Sequence, residues 1–258
     1  SSTSRGLGDV YKRQIRCRKG ECAMKKAFGL ILCGVMLVSI TGCGNNQQNS
    51  NPSSSDNLEE QEINYKIGGA IYFNPETASS CQKQDVEYSI DDLDKGREEE
   101  NTKTGCMRWY VIDNSDTETL DLILDHRTTY YTVYSDIESK LKNDTITWNS
   151  SLNPRLITVE EIIIATEQKL DFDGVSSFRF ENVDDNNVLQ DNFAWLYDGY
   201  YTSNNGKTTF GYWTSTPVSN DSSKYFVVTK DGEVESNQVE YDDYGIRPVI
   251  TINKDVLK

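Results

Sequence analysis

The chain has 258 residues, with 26 basic and 41 acidic residues and a formal net charge of −15. A chain this acidic repels the phosphates of nucleic acids and anionic lipid heads, so we expect no nucleic-acid partner. Four tryptophans and many aliphatic residues are enough for one sizeable hydrophobic core.

Residues 24–42 have the pattern of a bacterial targeting signal. Lys25 and Lys26 precede an apolar stretch, residues 27–40, that is too short for a bilayer span of about 20 residues. Thr41, Gly42 and Cys43 follow this stretch. Together with Ile40, its last residue, they form Ile-Thr-Gly-Cys, which resembles the lipobox of lipoproteins. The resemblance implies a cleaved signal peptide and a diacylglycerol on the Cys43 thiol. A short buried helix is the alternative interpretation.

The rest of the chain has three parts, one before this signal and two after it. Residues 1–14 resemble translated sequencing-adaptor sequence, and we expect translation to start at Met24, downstream of residues 1–23. Residues 43–61 comprise the lipidated cysteine and an Asn/Gln/Ser-rich tether that is too polar to fold. Residues 62–258 then form a single domain. We therefore expect an extracytoplasmic protein that is held at the bacterial cell membrane by its lipid anchor.

The expected mature chain is more acidic than the whole sequence. Residues 1–43 contain eight of the 26 basic residues but two of the 41 acidic ones, which leaves 18 against 39 and a net charge of about −21. The lipid, rather than a basic patch, must then attach the protein to the membrane.

Two cysteines lie in the expected domain, Cys81 and Cys106. An extracytoplasmic compartment permits disulfides, so we predict a bridge between them. Two buried free thiols are the alternative. The acidic stretch at residues 89–100 lies between the two cysteines and is typical of a solvated loop.

Short strand signals dominate the domain. They are β-branched or aromatic stretches bounded by polar turns, at residues 66–73, 107–112, 119–124, 225–229 and 245–252. Between two of them, Asp231-Gly232 predicts a hairpin with a type I′ turn. Helices are predicted at residues 135–143 and 158–168, the second opening with Thr158 and Glu161 as a capping box. Two helices with many short strands indicate an α+β domain.

His126 is the sole histidine of the chain. It follows a predicted strand, and Asp125 could orient its ring, as in hydrolytic sites. No Gly-x-Ser-x-Gly or His-Glu-x-x-His pattern surrounds it, so a structural role is the preferred interpretation. A cell-envelope hydrolase that uses carboxylates and His126 is the second hypothesis for function.

Acidic residues after the second helix could supply oxygen ligands for calcium. The candidates are Asp171, Asp173, Asp184 and Asp185. Calcium requires six to eight oxygens, and the Asp-x-Asp-x-Asp-Gly spacing is incomplete here. We therefore predict no metal and no cofactor, with these four residues as the alternative.

An aromatic and amide-rich segment, residues 195–206, is the best candidate for ligand binding. Ring faces beside polar side chains are the combination that glycan and peptide surfaces use. We expect Trp195 to lie in the core. The predicted ligand-binding residues are Tyr197, Tyr200, Tyr201, Asn204 and Asn205.

Three motifs resemble the C-type-lectin-like fold of the formylglycine-generating-enzyme type. Residues 154–162 (PRLITVEEI) resemble its helix opening, residues 211–216 (GYWTST) an internal strand, and residues 244–249 (YGIRPV) its closing strand. The first half of the domain also resembles the companion region of Firmicutes surface proteins that carry this module. The resemblance implies a C-type-lectin-like fold of short mixed and antiparallel strands with two helices.

The same motif residues also have a structural interpretation that does not depend on the resemblance. Arg155 and Arg247 would hold loop carbonyls, and Trp213 would fill the core beneath residues 230–233, close to Arg247. Oxidase members of this fold hold copper with a pair of cysteines near the C-terminus, whereas this chain has no cysteine after Cys106. We therefore expect a non-catalytic member.

Taken together, the sequence favours a lipid-anchored surface protein that binds a glycan or a protein without catalysis. The envelope hydrolase is the second hypothesis, and a purely structural envelope protein is the third.

Overall fold

The structure, a computed structural model, describes residues 65–88, 102–197, 201–202 and 208–258, with the main chain alone at 201–202 and 208–209. They belong to one unit that extends over residues 60–258. None of the helices in these ranges combines the length and the hydropathy that a membrane span requires. The predicted signal, Cys43, the tether and the acidic stretch between the cysteines lie outside the described residues.

Short strands and two α-helices make up the described part of the domain. The strands of the first half are β1 (Ala70–Asn74), β2 (Ser79–Ser80), β3 (Met107–Asp113) and β4 (Thr119–Leu124). The helices are α1 (Ile137–Asp144) and α2 (Val159–Ala165). The later strands are β5 (Phe178–Arg179), β6 (Tyr201–Thr202), β7 (Thr208–Thr209), β8 (Gly211–Val218), β9 (Asp221–Thr229), β10 (Glu233–Gln238), β11 (Tyr244–Gly245) and β12 (Val249–Asn253). Single 3₁₀ turns occur at Lys83–Asp85, Tyr134–Asp136, Ser150–Leu152 and Lys254–Leu257.

The first sheet has the order β12-β4-β3-β1-β2 and is antiparallel throughout. β4 occupies residues 119–124, as the sequence predicts. In one core cluster of this sheet, Trp109 packs against Trp148, with ring centroids 5.5 Å apart and an angle of 70° between the ring planes. Because β12 comes from the far end of the chain, this sheet joins the two halves of the domain.

The second sheet has the order β11-β8-β9-β10-β5. β11 runs parallel to β8, and the other pairs are antiparallel. The predicted closing strand at residues 245–252 is in fact two strands, β11 in this sheet and β12 in the first. The chain changes sheets between them, at the residues around Pro248, which has no N–H for a ladder. β6 and β7 form a separate two-stranded pair.

The hairpin between β9 and β10 does not have the predicted type I′ turn. Gly232 has a positive φ of 70°, but Asp231 is not among the residues with positive φ. The N–H groups of Gly232 and Glu233 are bonded to the Thr229 carbonyl and hydroxyl, respectively. A three-residue loop with a single left-handed glycine is the next most common hairpin solution, and it also lets Gly232 pass close to Glu181.

Helix α2 begins as predicted. The Thr158 hydroxyl accepts from the Glu161 N–H, and the Glu161 carboxylate accepts from the Thr158 N–H at 2.8 Å. The helix ends earlier than predicted, at Ala165. The Thr166 hydroxyl donates to the Ile162 carbonyl, and Glu167 adopts a left-handed φ of 53°, which stops the helix.

Trp213 is fully buried, but it does not pack beneath residues 230–233 as expected. It lies in a cluster with Tyr244 and Ile246, and its indole N–H donates to the Thr132 carbonyl at 2.9 Å. Successive side chains of a strand point to opposite faces. Tyr212, the preceding residue, therefore enters a different core cluster, and Arg247 lies over its ring and not over Trp213.

The architecture of the described residues is therefore α+β, with two helices packed against short-stranded, mainly antiparallel sheets. The largest core cluster combines Tyr110 and Ile123 from the first sheet with Phe226 and Val228 from the second.

Candidate functional site

A cleft of about 860 Å³ opens beside the first sheet, at the C-terminal end of α2. Its lining residues come from four separate parts of the chain: Lys66, Ile67, Gly68, Gly69, Asn114, Ala165, Thr166, Glu167, Asn192, Phe193 and Trp195. This volume is within the range of small-molecule sites, about 300–1,000 Å³. The wall of the cleft combines aromatic, amide and charged groups.

Trp195 differs from the other three tryptophans. Trp109, Trp148 and Trp213 are buried, and the indole N–H of each donates to a backbone carbonyl, those of Phe73, Lys103 and Thr132. Trp195 is half-buried in the wall of the cleft, and its indole N–H has no partner among the described residues. A tryptophan N–H that is unused by the fold is available to a ligand.

The Trp195 ring lies against the bare backbone of Gly68. A Cβ at Gly68 would come within 2.8 Å of the indole nitrogen, and Gly68 also has a left-handed φ of 75°. Only glycine satisfies both conditions without strain. The ring also lies near that of Tyr110, with centroids 5.8 Å apart and the ring planes tilted at 46°.

The segment that carries Trp195 is attached to the core through its carbonyls. Arg247, 1% exposed, donates to the carbonyls of Trp195, Leu196 and Leu124 at 2.5–2.7 Å. The Tyr212 hydroxyl also donates to the Leu196 carbonyl, at 2.5 Å. Arg247 therefore holds loop carbonyls as the sequence predicts, and these carbonyls belong to the wall of the cleft.

A buried carboxylate fixes the other end of this segment. Glu181 is 2% exposed, and its side chain accepts from the Phe193 N–H at 2.8 Å and from the Asn182 N–H at 2.7 Å. A carboxylate can be buried only when its oxygens are hydrogen-bonded in this way. Glu181 thus sets the position of Phe193 beside Trp195.

Of the five predicted ligand-binding residues, only Tyr197 has a described side chain. Tyr197 belongs to the core: it is 3% exposed, and its hydroxyl donates to Asp191 at 2.7 Å. Burial and the hydrogen bond to Asp191 raise its pKa, which keeps the hydroxyl a donor. Because its side chain is part of the core, Tyr197 is not a ligand-binding residue as predicted. Tyr201 begins the β6–β7 pair, but its side chain is not described, and Tyr200, Asn204 and Asn205 lie outside the described residues.

His126 has no free ring nitrogen. Its Nδ1 lies 2.6 Å from the Asp125 carboxylate and its Nε2 lies 2.8 Å from the Thr102 carbonyl, and the side chain is buried. Asp125 orients the ring as the sequence predicts, and it also accepts from Arg108 and from Tyr88 at 2.8 Å. Burial and the charge of Asp125 raise the pKa of Tyr88, which keeps that hydroxyl a donor.

The four calcium candidates do not converge. The described residues contain no group of three or more His, Cys, Asp or Glu side chains that could hold a metal ion. Asp173 accepts from the N–H and hydroxyl of Ser176 and from the Val175 N–H, and these bonds lower its pKa. The N–H groups of Val188 and Asn186 similarly lower the pKa of Asp184. Asp171 and Asp185 also lie in this loop region without such a grouping.

Arg155 has a structural position at the start of α2. Its guanidinium bonds both carboxylate oxygens of Glu161 and approaches Asp121 at 3.2 Å, and it donates to one carbonyl, that of Leu156. Burial opposes the charge, but the bonds to Glu161 outweigh it and raise the pKa of Arg155. Carboxylates rather than loop carbonyls are therefore its main partners.

Cys81 and Cys106 are joined by a disulfide, with Cα atoms 6.0 Å apart. This is the pairing that the sequence predicts. The bridge links the residues after β2 to the start of β3 and lies apart from the residues that line the cleft.

Residues 157–254 match the model of a domain of unknown function, DUF6273. Neither a curated protein nor a solved structure matches the chain. The matched segment includes α2 and the strands from β5 to β12, so it contains Glu167, Asn192, Phe193 and Trp195. The facing wall of the cleft, residues 66–69 and Asn114, precedes it.

The sequence did not predict this cleft. One local signal pointed to it, since a pair of glycines at the start of a strand often marks close approach of a backbone or ligand. Gly68 and Gly69 form such a pair. Their partner, Trp195, lies far away in the sequence, and no local pattern connects the two.

Proposed function

We propose that this chain is a lipid-anchored, extracytoplasmic binding protein of C-type-lectin-like architecture, without catalytic activity. One observation carries the binding role: the half-exposed Trp195, with an unused indole N–H, in the wall of an 860 Å³ cleft. The three other tryptophans complete the core, and their N–H groups are already bonded. The ligand contacts Trp195 and Phe193.

The anchoring part of the proposal is supported by the sequence. Two lysines, a short apolar stretch and Ile-Thr-Gly-Cys stand in the order that lipoprotein signals have, and a polar tether follows Cys43. The tether separates the cleft-bearing domain from the membrane surface, and the acidic charge keeps the domain away from anionic lipid heads.

The architectural part is supported by the positions of the three motifs. Each motif has a defined structural role: the capping box at Thr158 starts α2, Trp213 donates to the Thr132 carbonyl, and Arg247 donates to the Leu124 carbonyl of the first sheet. Two helices beside short, mainly antiparallel strands also agree with a C-type-lectin-like domain.

The non-catalytic part is supported by the geometry of His126. Both ring nitrogens face acceptors, and the side chain is buried. His126 therefore connects the Asp125 carboxylate to the Thr102 carbonyl in the interior of the domain. A general base needs a nitrogen within reach of the substrate's proton.

The anchor is tested by membrane fractionation of the intact protein in a bacterial host. Cys43→Ser removes the thiol that takes the lipid and should release the protein from the membrane fraction. Cys33→Ser, in the same apolar stretch, is the matched control and should leave the distribution unchanged. Equal membrane retention of Cys43→Ser and wild type contradicts the anchor.

The binding role is tested by thermal shift with three probe classes: neutral tetrasaccharides, free amino acids and tri- or tetrapeptides. A ligand that binds the folded state raises the melting temperature. At least one class should stabilise the wild type and fail to stabilise Trp195→Ala. If no class does so, the cleft is not a binding site of this kind.

A further inference from the structure

We infer that the cleft takes a neutral glycan, with a sugar ring stacked on the indole of Trp195. This inference rests on the proposed binding function and names the ligand class of the same site. An indole ring offers a flat apolar surface with a polar N–H at its edge. A pyranose ring offers the complementary surface, an apolar C–H face bordered by hydroxyl groups.

The polar groups around Trp195 include both donors and acceptors. The donors are the Trp195 indole N–H and Lys66, and the acceptors are Glu167 and the amide oxygens of Asn114 and Asn192. The amide nitrogen of Asn114 is already bonded to the Tyr65 carbonyl, so its oxygen is the end that remains available. A hydroxyl group both donates and accepts, so a polyhydroxylated ligand satisfies this mixed set.

The charge of the site favours a neutral ligand. Lys66 and Glu167 are the charged residues in the described lining, one of each sign. The rest of the domain contributes a strongly negative field, because residues 44–258 carry about 21 more acidic than basic residues. Within the lining the two charges offset each other, and the negative field of the domain also repels an anion.

The main chain around the cleft disfavours an extended peptide as the ligand. Peptides that add to a sheet need unpaired backbone groups. The N–H groups of Gly68, Gly69 and Phe193 are bonded to the Val111 carbonyl, the Lys66 carbonyl and the Glu181 carboxylate. Recognition therefore depends on the ring faces and side chains, which suits a sugar.

The site also requires both halves of the domain. Trp195 and Asn192 lie within residues 157–254, whereas Gly68, Lys66 and Asn114 precede that segment. β12 of the matched segment pairs with β4, which lies outside it. The segment that matches the family model therefore provides only one wall, and the preceding residues contribute to ligand selection.

The experiment is isothermal titration of the intact chain with neutral tetrasaccharides built from glucose, galactose, mannose and N-acetylglucosamine, beside tetra-alanine as the peptide probe. We expect binding to at least one tetrasaccharide. Trp195→Ala and Asn192→Ala should each weaken it about tenfold or more, which corresponds to about 1.4 kcal/mol. Tyr241→Ala, at an aromatic residue that is 55% exposed outside the cleft lining, should leave the affinity unchanged.

Three outcomes overturn the glycan assignment. If tetra-alanine binds and no tetrasaccharide does, the ligand class is wrong although the binding function stands. If a tetrasaccharide binds Trp195→Ala and Asn192→Ala as tightly as wild type, the sugar binds outside this cleft. If neither probe class binds a folded wild-type chain, the glycan assignment and the binding role both fail. Asn192 is exposed, so its variant reports on binding even if Trp195→Ala unfolds.

Discussion

Tyr212 and Arg247 donate to the same oxygen, the carbonyl of Leu196, at 2.5 and 2.7 Å. The Arg247 guanidinium lies 5.3 Å from the centre of the Tyr212 ring and also donates to the Trp195 carbonyl. The cleft wall is thereby attached to β8, the strand that lies beside β11 and β9 in the second sheet. The position of the candidate binding residue depends on a buried arginine.

The first prediction concerns this attachment. Arg247→Met should lower the free energy of unfolding by about 3 kcal/mol or more, because three buried carbonyls lose charge-assisted donors. Tyr212→Phe removes one of the two donors to Leu196 and should cost about 1 kcal/mol. Urea denaturation of both variants measures the difference. Similar, small losses in both variants contradict the central role of Arg247.

The second prediction separates core from surface aromatics. Trp213→Ala should cost about 3–5 kcal/mol, since the ring is fully buried beside Tyr244 and its N–H is bonded to Thr132. Tyr241→Ala is the control, and as an exposed side chain it should change the stability by about 0.5 kcal/mol or less. Equal unfolding midpoints for the two variants would show that Trp213 is not part of the core.

Some elements of the fold can be predicted from the sequence, whereas others cannot. The capping box at Thr158, the strand at residues 119–124 and the buried Trp213 are predictable because each depends on neighbouring residues or a short repeat. The turn at Gly232 differs from the prediction because the loop has three residues, 230–232, and Gly232 passes close to the distant residue Glu181. Local patterns identify elements better than they identify contacts between elements.

In the candidate site, too, contacts between distant residues could not be predicted from local patterns. A segment rich in tyrosine, asparagine and glycine resembles a surface loop, yet Tyr197 is buried because Asp191 accepts its hydroxyl hydrogen bond. Trp195, expected in the core, is half-buried, and its ring lies against the backbone of Gly68, a residue far away in the sequence. Both differences arise from partners that the local sequence does not reveal.

The third prediction concerns the disulfide. The bridge joins Cys81 and Cys106, separated by 25 positions, and a loop of this size should stabilise the folded state by about 3.5 kcal/mol on the chain-entropy model. Reduction should therefore lower the melting temperature of wild type. The double variant Cys81→Ser, Cys106→Ser is the control and should not respond to the reductant. Free alkylation of both thiols in the native, unreduced protein contradicts the bridge.

The fourth prediction concerns pH. Burial, together with the hydrogen bond and charge of Glu233, raises the pKa of Glu235 above its ordinary value of 4.5. The folded state therefore favours the protonated carboxyl, and stability that is present below pH 4.5 is lost as the pH rises through the raised pKa.

The test compares melting temperatures at pH 7 and at pH 4. Glu235→Gln keeps the shape but removes the charge, so the variant should melt above wild type at pH 7, and this difference should largely vanish at pH 4. Glu240→Gln, at an exposed glutamate, is the control. A Glu235→Gln variant that melts below wild type at pH 7 reverses the expected sign.

The most direct test of the binding cleft uses the indole N–H signals of the four tryptophans in a ¹⁵N-labelled intact chain. The signal that Trp195→Phe removes identifies the one indole that has no partner in the described fold. Addition of the tetrasaccharide that binds in the titration should shift this signal strongly and leave the other three almost unchanged, because those three donate to backbone carbonyls in the core. A bound tetrasaccharide that leaves the Trp195 signal in place would contradict the assignment of this cleft as the binding site.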